Sequence, residues 1–396
     1  MRWLTSGRGV STKHRWPPAV SVVFALMVIL LASCGGSSFV YQEPAGTGDG
    51  WSTAELSEVG LDVGLFIDLV DQAAADEDRA VDGILVVKDG KQVLEKYFDG
   101  YRFDYDDPQF RGEPVEFDES TRHNLMSITK AVTGSLVGIA IDEGLIAGVD
   151  EPVVGYFSEY DGLNEGPKTE IEVEHLLTMT SGLEWNEWHV PLTDTDNNDL
   201  IQLFIVDDPI EYILSEPVVH EPGTYWYYGG DVNLLSEFFE RSTGSSIDDF
   251  SRIHQFEPLG ITDYQRKYIN PEIVYTSGEL EMGPRDLAKF GWLYLNDGQW
   301  NGTQVISSAW VQDSISEHMS IPGRAADGDG YGYQWFITSY QHGGKTIDAA
   351  IRTGRGGQAL VLFPGLIAVL TGGDYVQQTS VSELISQYVV PAVDQT

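Results

Sequence analysis

Ser127 and Lys130 are the residues whose types and spacing could do chemistry in this chain. Ser127-Ile128-Thr129-Lys130 is its only Ser-x-x-Lys. On a helix, positions i and i+3 share a face one turn apart. A serine hydroxyl is a weak nucleophile until a neighbouring base takes its proton. A lysine can be that base when burial and nearby positive charge lower its pKa. A serine in the first helical turn also gains from the positive end of the helix dipole, which favours a developing oxyanion. The spacing alone also fits a helix start followed by a surface lysine. Context favours the chemistry: Lys130 falls in an otherwise apolar stretch, where an unpaired charge is costly.

Two further clusters could complete such a site. In Glu221–Asp231, the Pro222-Gly223 turn is followed by Tyr225-Trp226-Tyr227-Tyr228-Gly229-Gly230 and then by a helical pattern. A tyrosine hydroxyl from this loop could relay a proton to a leaving group. The same residues also fit an aromatic core cluster beside a glycine turn. In Thr353-Gly354-Arg355-Gly356-Gly357-Gln358, glycines between two strand signals mark a close backbone approach, often by a ligand. Arg355 could hold a carboxylate or polarise the tyrosine; a β-bulge with an exposed arginine reads equally well.

Other chemistries fit poorly. Gly344-Lys345-Thr346 resembles the tail of a phosphate-binding loop, but Ser339 stands where that loop needs glycine. There is no Gly-x-Ser-x-Gly elbow. The eight histidines form no metal-binding pattern, so neither metal nor other cofactor is expected. Lys+Arg number 23 against 61 Asp+Glu, a formal charge of −38. That balance argues against nucleic acid, whose binding needs cations to neutralise phosphates.

These residues need a scaffold. At 396 residues the chain exceeds what one core usually supports. A helix is expected from Ser57 to Ala75. A hairpin follows, Gly83–Lys88 and Lys91–Phe98 around Asp89-Gly90, a strong short-range signal. Residues 99–120 read as polar loop. A buried helix should run from Leu125 to Glu143, apolar on several faces. Helices and loops continue to about residue 270. Strand signals return at Gly332–Ile337, Ala349–Thr353, Gln358–Phe363 and Ile367–Thr371, before a last helix from about Ser380 to Val390. Strands at both ends imply one α/β (α+β) architecture: an antiparallel sheet from both chain ends, flanked by helices, with a mainly helical lobe inserted at about 126–275.

The N-terminus reads as a targeting segment. Residues 1–33 carry Arg2, Arg8, Lys13 and Arg15 and no acid, then an apolar run from Ala19 to Ala32. That run is short for a membrane span but suits a signal peptide. Leu31-Ala32-Ser33-Cys34 followed by Gly-Gly-Ser-Ser resembles the lipobox of bacterial lipoproteins. The resemblance implies lipidation at Cys34, the only cysteine, and export to the outer face of a membrane. Residues 34–55, rich in Gly, Ser, Pro and Thr, read as a flexible tether to a domain over 56–396.

Taken in order, these clusters resemble the serine β-lactamase and penicillin-binding-protein superfamily. The closer likeness is to its class C-like branch of esterases, D-aminopeptidases and 6-aminohexanoate-dimer-type hydrolases. His175-Leu176-Leu177-Thr178-Met179-Thr180-Ser181-Gly182-Leu183 looks like a characteristic segment of that branch. So do the stretches from Pro284 to Gly291 and from Tyr331 to Trp335. The resemblance implies that Ser127 is acylated by an ester or amide, that Lys130 is its base, and that backbone N–H groups of Ser127 and Gln358 hold the oxyanion. It also puts Arg355-Gly356-Gly357 where the family has Lys-Thr-Gly or His-x-Gly, with Gly229 and Gly230 beside the tyrosine. The family's Tyr-x-Asn lacks its Asn here; glycine stands in that place. Counting back from Leu234-Leu235 selects Tyr227 as the catalytic tyrosine; counting forward from Pro222-Gly223 selects Tyr228. The stiffer step into the next helix favours Tyr227. Two alternatives remain: a true β-lactamase or DD-peptidase, and a cell-surface binding protein on the same fold without turnover.

Overall fold

A computed structural model describes residues 38–75, 81–160, 162–323, 327–373, 375 and 381–394. The expected signal peptide and Cys34 lie outside the described residues.

A nine-stranded sheet forms the centre. Its strands are β1 (Ser52–Thr53), β2 (Gly83–Lys88), β3 (Lys91–Tyr97), β6 (Met319–Ser320), β7 (Gly330–Tyr331), β8 (Phe336–His342), β9 (Lys345–Gly354), β10 (Gln358–Phe363) and β11 (Leu366–Thr371); β4 (Asp99–Phe103) and β5 (Arg111–Glu116) form a separate hairpin. The order is β1-β3-β2-β11-β10-β9-β8-β7-β6, antiparallel except at β1. The two chain ends therefore meet in mid-sheet, where β2 pairs with β11. Asp89 and Gly90 both have positive φ in the β2–β3 turn, 48° and 77°, as a type I′ turn requires.

Strands β2, β10 and β11 are buried at every position, because helices cover both faces. Ile84, Val86, Val361 and Ala368 face α1 (Val63–Ala74) and the C-terminal helical segment Val381–Asp394. Leu85, Val87, Leu360 and Val369 alternate with them and face the inserted lobe, as period-two strand geometry dictates. That lobe carries α2 (Thr129–Asp142) and α3 (Asp231–Thr243); α4 (Pro284–Leu295) lies across β2, β10 and β11. Every residue of α2 from Thr129 to Ala140 is buried, as its apolar composition implies.

Four expectations need correction. The helix from Ser57 is a 3-10 turn (Leu56–Val59) and then α1, interrupted at Gly60, whose φ of 79° leaves the helical region. Residues 99–120 contain the β4–β5 hairpin, with Pro114 tolerated where only one neighbour pairs. Of Gly332–Ile337, residues 332–335 form the turn between β7 and β8, and only Phe336 and Ile337 are strand. Residues 39–55 are no free tether. Phe39 N–H donates to Asp71 at 2.7 Å, and Tyr41 donates to the Val93 carbonyl at 2.9 Å. Trp51 is buried edge-on against Trp300, its indole N–H on the Arg285 carbonyl at 3.2 Å. Glycine and proline made this segment look mobile; Tyr41 and Trp51 anchor it.

Candidate active site

Ser127 sits in a tight 3-10 turn, Met126–Ile128, that runs directly into α2. Met126 has φ of 47°, a costly conformation for a side chain of that size. Its N–H is held by the Asn124 side chain at 2.9 Å. The Thr129 hydroxyl donates to the Met126 carbonyl at 2.6 Å and accepts from Leu280 N–H at 3.1 Å. The turn that carries Ser127 is thus fixed from both sides.

One turn on, the Lys130 amine lies 3.1 Å from Ser127 Oγ and donates to the Ser277 carbonyl at 2.5 Å. It also sits 4.8 Å over the Tyr228 ring. Lys130 is buried, and burial lowers its pKa to about 7, helped by the charges of Arg352 and Arg355 and opposed by Glu187. An amine so depressed is about half neutral at pH 7, and the neutral half can accept a proton. Glu187 feels the same burial, which raises its carboxyl above the usual range, while Lys130 and the Trp185 N–H pull it back.

The tyrosine beside this pair is Tyr228. Its hydroxyl lies beside Ser127 and accepts from Arg352 at 2.9 Å; burial raises its pKa and the arginine opposes that rise. The preference for Tyr227 is therefore corrected. The Tyr227 hydroxyl faces the backbone N–H groups of Glu187 and Trp188 instead, and its ring packs on the lobe core near His189. The loop reads forward from Pro222-Gly223, because the turn pins it there: Gly223 N–H bonds the Thr180 carbonyl, and Tyr227 N–H bonds Met179.

The cation of the third cluster is also displaced by one turn of sequence. Arg352, fully buried on β9, donates to the Ser127 carbonyl at 2.9 Å, to Tyr331 at 2.8 Å and to Tyr228 at 2.9 Å. Arg352-Thr353-Gly354 therefore occupies the place expected of Arg355-Gly356-Gly357. Gly354 shows why the position needs glycine: a Cβ there would meet the Leu125 carbonyl at 2.6 Å and Met126 Cβ at 2.9 Å. Arg355 instead rests 5.1 Å from the Trp188 ring, at the site's edge. Gly356 and Gly357 form the following turn with φ of 91° and 93°. Gln358 pairs with Gly354 across the ladder, its side chain tied to Gly372. Gly229 and Gly230 lie against the face of Trp185, where a Cβ would come within 2.9 and 2.6 Å of the ring.

Sequence reasoning missed Arg352, Glu187, Trp185, Trp188 and the Ser277 carbonyl. Arg352 was findable, since Arg-Thr-Gly matches Lys-Thr-Gly better than Arg-Gly-Gly does. The others come from loops whose paths carry no periodic signal. Among the described residues there is no cluster of side chains able to hold a metal.

A family model described as Beta-lactamase matches residues 66–371. A 6-aminohexanoate-dimer hydrolase of Paenarthrobacter ureafaciens is 26% identical over 67% of this chain and 67% of its own. Esterase EstB of Burkholderia gladioli is 27% identical over 54% of this chain and 55% of its own, so the alignment spans little more than half of that relative. Among solved structures, a family VIII carboxylesterase superposes with a TM-score of 0.66 at 17% identity, covering 88% of this chain and 99% of that one. The family match runs from α1 to the last strand of the sheet and takes in Ser127, Lys130, Tyr228 and Arg352, so the chain belongs to the beta-lactamase family.

Proposed function

We propose that the protein is a serine hydrolase that cleaves an ester or amide through an acyl-enzyme on Ser127. Neutral Lys130 takes the Ser127 proton as Oγ attacks the carbonyl carbon. The oxyanion is held by the Ser127 N–H and a second N–H, taken from Arg355, the residue after Arg352-Thr353-Gly354, in place of the expected Gln358; such a hole is often the largest catalytic contribution. The Tyr228 hydroxyl, held by Arg352, passes the proton to the leaving group. Water then attacks the acyl carbon, and the proton returns to Oγ by the same route. The names of the relatives, an amide-dimer hydrolase and an esterase, support the substrate class. The observation that carries the reading is the buried Lys130 amine 3.1 Å from Ser127 Oγ. Treatment with a fluorophosphonate followed by peptide mass spectrometry should find the adduct on Ser127 and none in Ser127→Ala. An adduct elsewhere, or one that persists in the variant, rules the assignment out. A burst of product from a short-chain chromogenic ester separates turnover from a binding role, and nitrocefin turnover would mark a β-lactamase.

The N-terminal sequence supports a second proposal: Cys34 carries lipid and anchors the exported domain. Metabolic labelling with a clickable fatty acid should mark the wild type, whereas Cys34→Ala should be unlabelled and released from membranes.

A further inference from the structure

The segment from Thr276 to Leu280 runs along the first turns of α2 and is tied to it repeatedly. The Thr133 hydroxyl donates to the Thr276 carbonyl at 3.3 Å, the Lys130 amine to the Ser277 carbonyl at 2.5 Å, and Leu280 N–H to the Thr129 hydroxyl at 3.1 Å. The Thr276 hydroxyl ties the same segment to α3, donating to the Val232 carbonyl at 3.0 Å. The backbone of Ser277 is therefore fixed. Rotation about χ1 is the freedom left to its side chain.

That side chain does nothing for the fold. Ser277 is 4% exposed, and its Oγ is buried without a hydrogen-bond partner among the described residues. An unmatched buried hydroxyl is destabilising, and alanine would avoid the loss.

The neighbouring amine has the complementary need. Lys130 meets two oxygens, the Ser277 carbonyl and Ser127 Oγ, and the face of the Tyr228 ring at 4.8 Å. An amine that has taken a proton carries three N–H donors. Ser127 Oγ becomes a poorer acceptor as it bonds to the acyl carbon. The buried ammonium formed at that moment is short of an acceptor, and an unmatched buried charge is costly. Ser277 carries an unused one on the residue that already holds the amine.

We propose that Ser277 is a positioning residue for Lys130: its hydroxyl turns toward the amine during acylation and accepts the third ammonium N–H. The proton passes from Ser127 Oγ to Lys130 Nζ as Oγ bonds to the carbonyl carbon, and Ser277 keeps its own proton throughout. An acceptor engaged only by the charged amine stabilises the transition state more than the resting enzyme, which is the condition for speeding a chemical step. The inference rests on the reading of Ser127 as nucleophile and Lys130 as base.

The rate of fluorophosphonate labelling of the full chain, followed against pH, tests it without knowledge of the natural substrate. A wild type that is not labelled at Ser127 removes the nucleophile–base reading and this inference with it. With the wild type labelled there, Ser277→Ala should label about tenfold more slowly on the high-pH plateau. Its acid limb should move to lower pH by about half a unit or more, because the ammonium has lost an acceptor. The charged groups that face the amine, Arg352, Arg355 and Glu187, are the same in both proteins. The Tm of Ser277→Ala should equal or exceed that of the wild type, since the variant only deletes an unmatched hydroxyl. A plateau and limb equal to those of the wild type overturn the proposal. So does slow labelling with an unmoved limb, or a lowered Tm, since either assigns the hydroxyl a structural role.

Discussion

The charge state of Lys130, on which its proposed role as the base depends, is set by three surroundings that pull in different directions. Burial and two arginines favour the neutral amine, while Glu187 favours the ammonium. Only the neutral amine can accept the Ser127 proton. For a neutral ester, kcat/KM should therefore rise tenfold per pH unit up to about pH 7 and level off above it. Glu187→Gln removes the charge that favours the ammonium, so the acid limb should move to lower pH. Arg355→Gln removes a charge that disfavours it, so the limb should move up. Shifts in any other direction, read from pH-rate profiles, contradict this account of the base. The tyrosines give a second prediction. Tyr228→Phe removes the hydroxyl that Arg352 holds beside Ser127 and should lower kcat by roughly 10²–10⁴-fold. Tyr227→Phe deletes a hydroxyl that faces backbone N–H groups of Glu187 and Trp188, and steady-state kinetics should find kcat unchanged within about threefold, with a stability loss of no more than about 1 kcal/mol.

The elements decide which of these side chains meet. Gly354 lets the end of β9 lie against the turn before α2, and only that approach brings Arg352 to the Ser127 carbonyl. The segment before α3 shows the same logic from the opposite side. Glycine stands where the family's motif has asparagine, and Trp185 fills the space that a side chain would take. Gly230→Asn therefore does not simply restore the motif: its Cβ would start 2.6 Å from the indole. Chemical denaturation should show a loss of about 1–3 kcal/mol for Gly230→Asn. The double variant with Trp185→Ala should show less than the sum of the two single losses, because both act on the same space. Strict additivity would mean the two residues do not compete. The β4–β5 hairpin escaped sequence reading because its strands carry charges and a proline between few apolar residues, yet its loop supplies Tyr105, whose hydroxyl donates to Glu279 at 2.5 Å.

Over the whole chain the formal net charge is −38, from 61 acidic and 23 basic residues. Self-repulsion of that size opposes compaction and is screened by salt. Calorimetry should find Tm rising by several degrees between about 0.05 and 0.5 M NaCl at pH 8; a flat or falling Tm would mean the carboxylates are compensated locally. The closure of one sheet by strands from both ends was legible in the sequence. So were the β2–β3 hairpin, the buried α2 and the Ser127–Lys130 pair, because each rests on local periodicity or spacing within one element. The choice of Tyr228 over Tyr227 and Arg352 over Arg355, the anchoring of residues 39–55 by Trp51, and the loop that brings Glu187 to Lys130 came only with the tertiary structure. Neighbouring tyrosines, or arginines three apart, have the same local propensities. What separates them is which one a distant segment leaves room for, and sequence spacing carries no record of that contact.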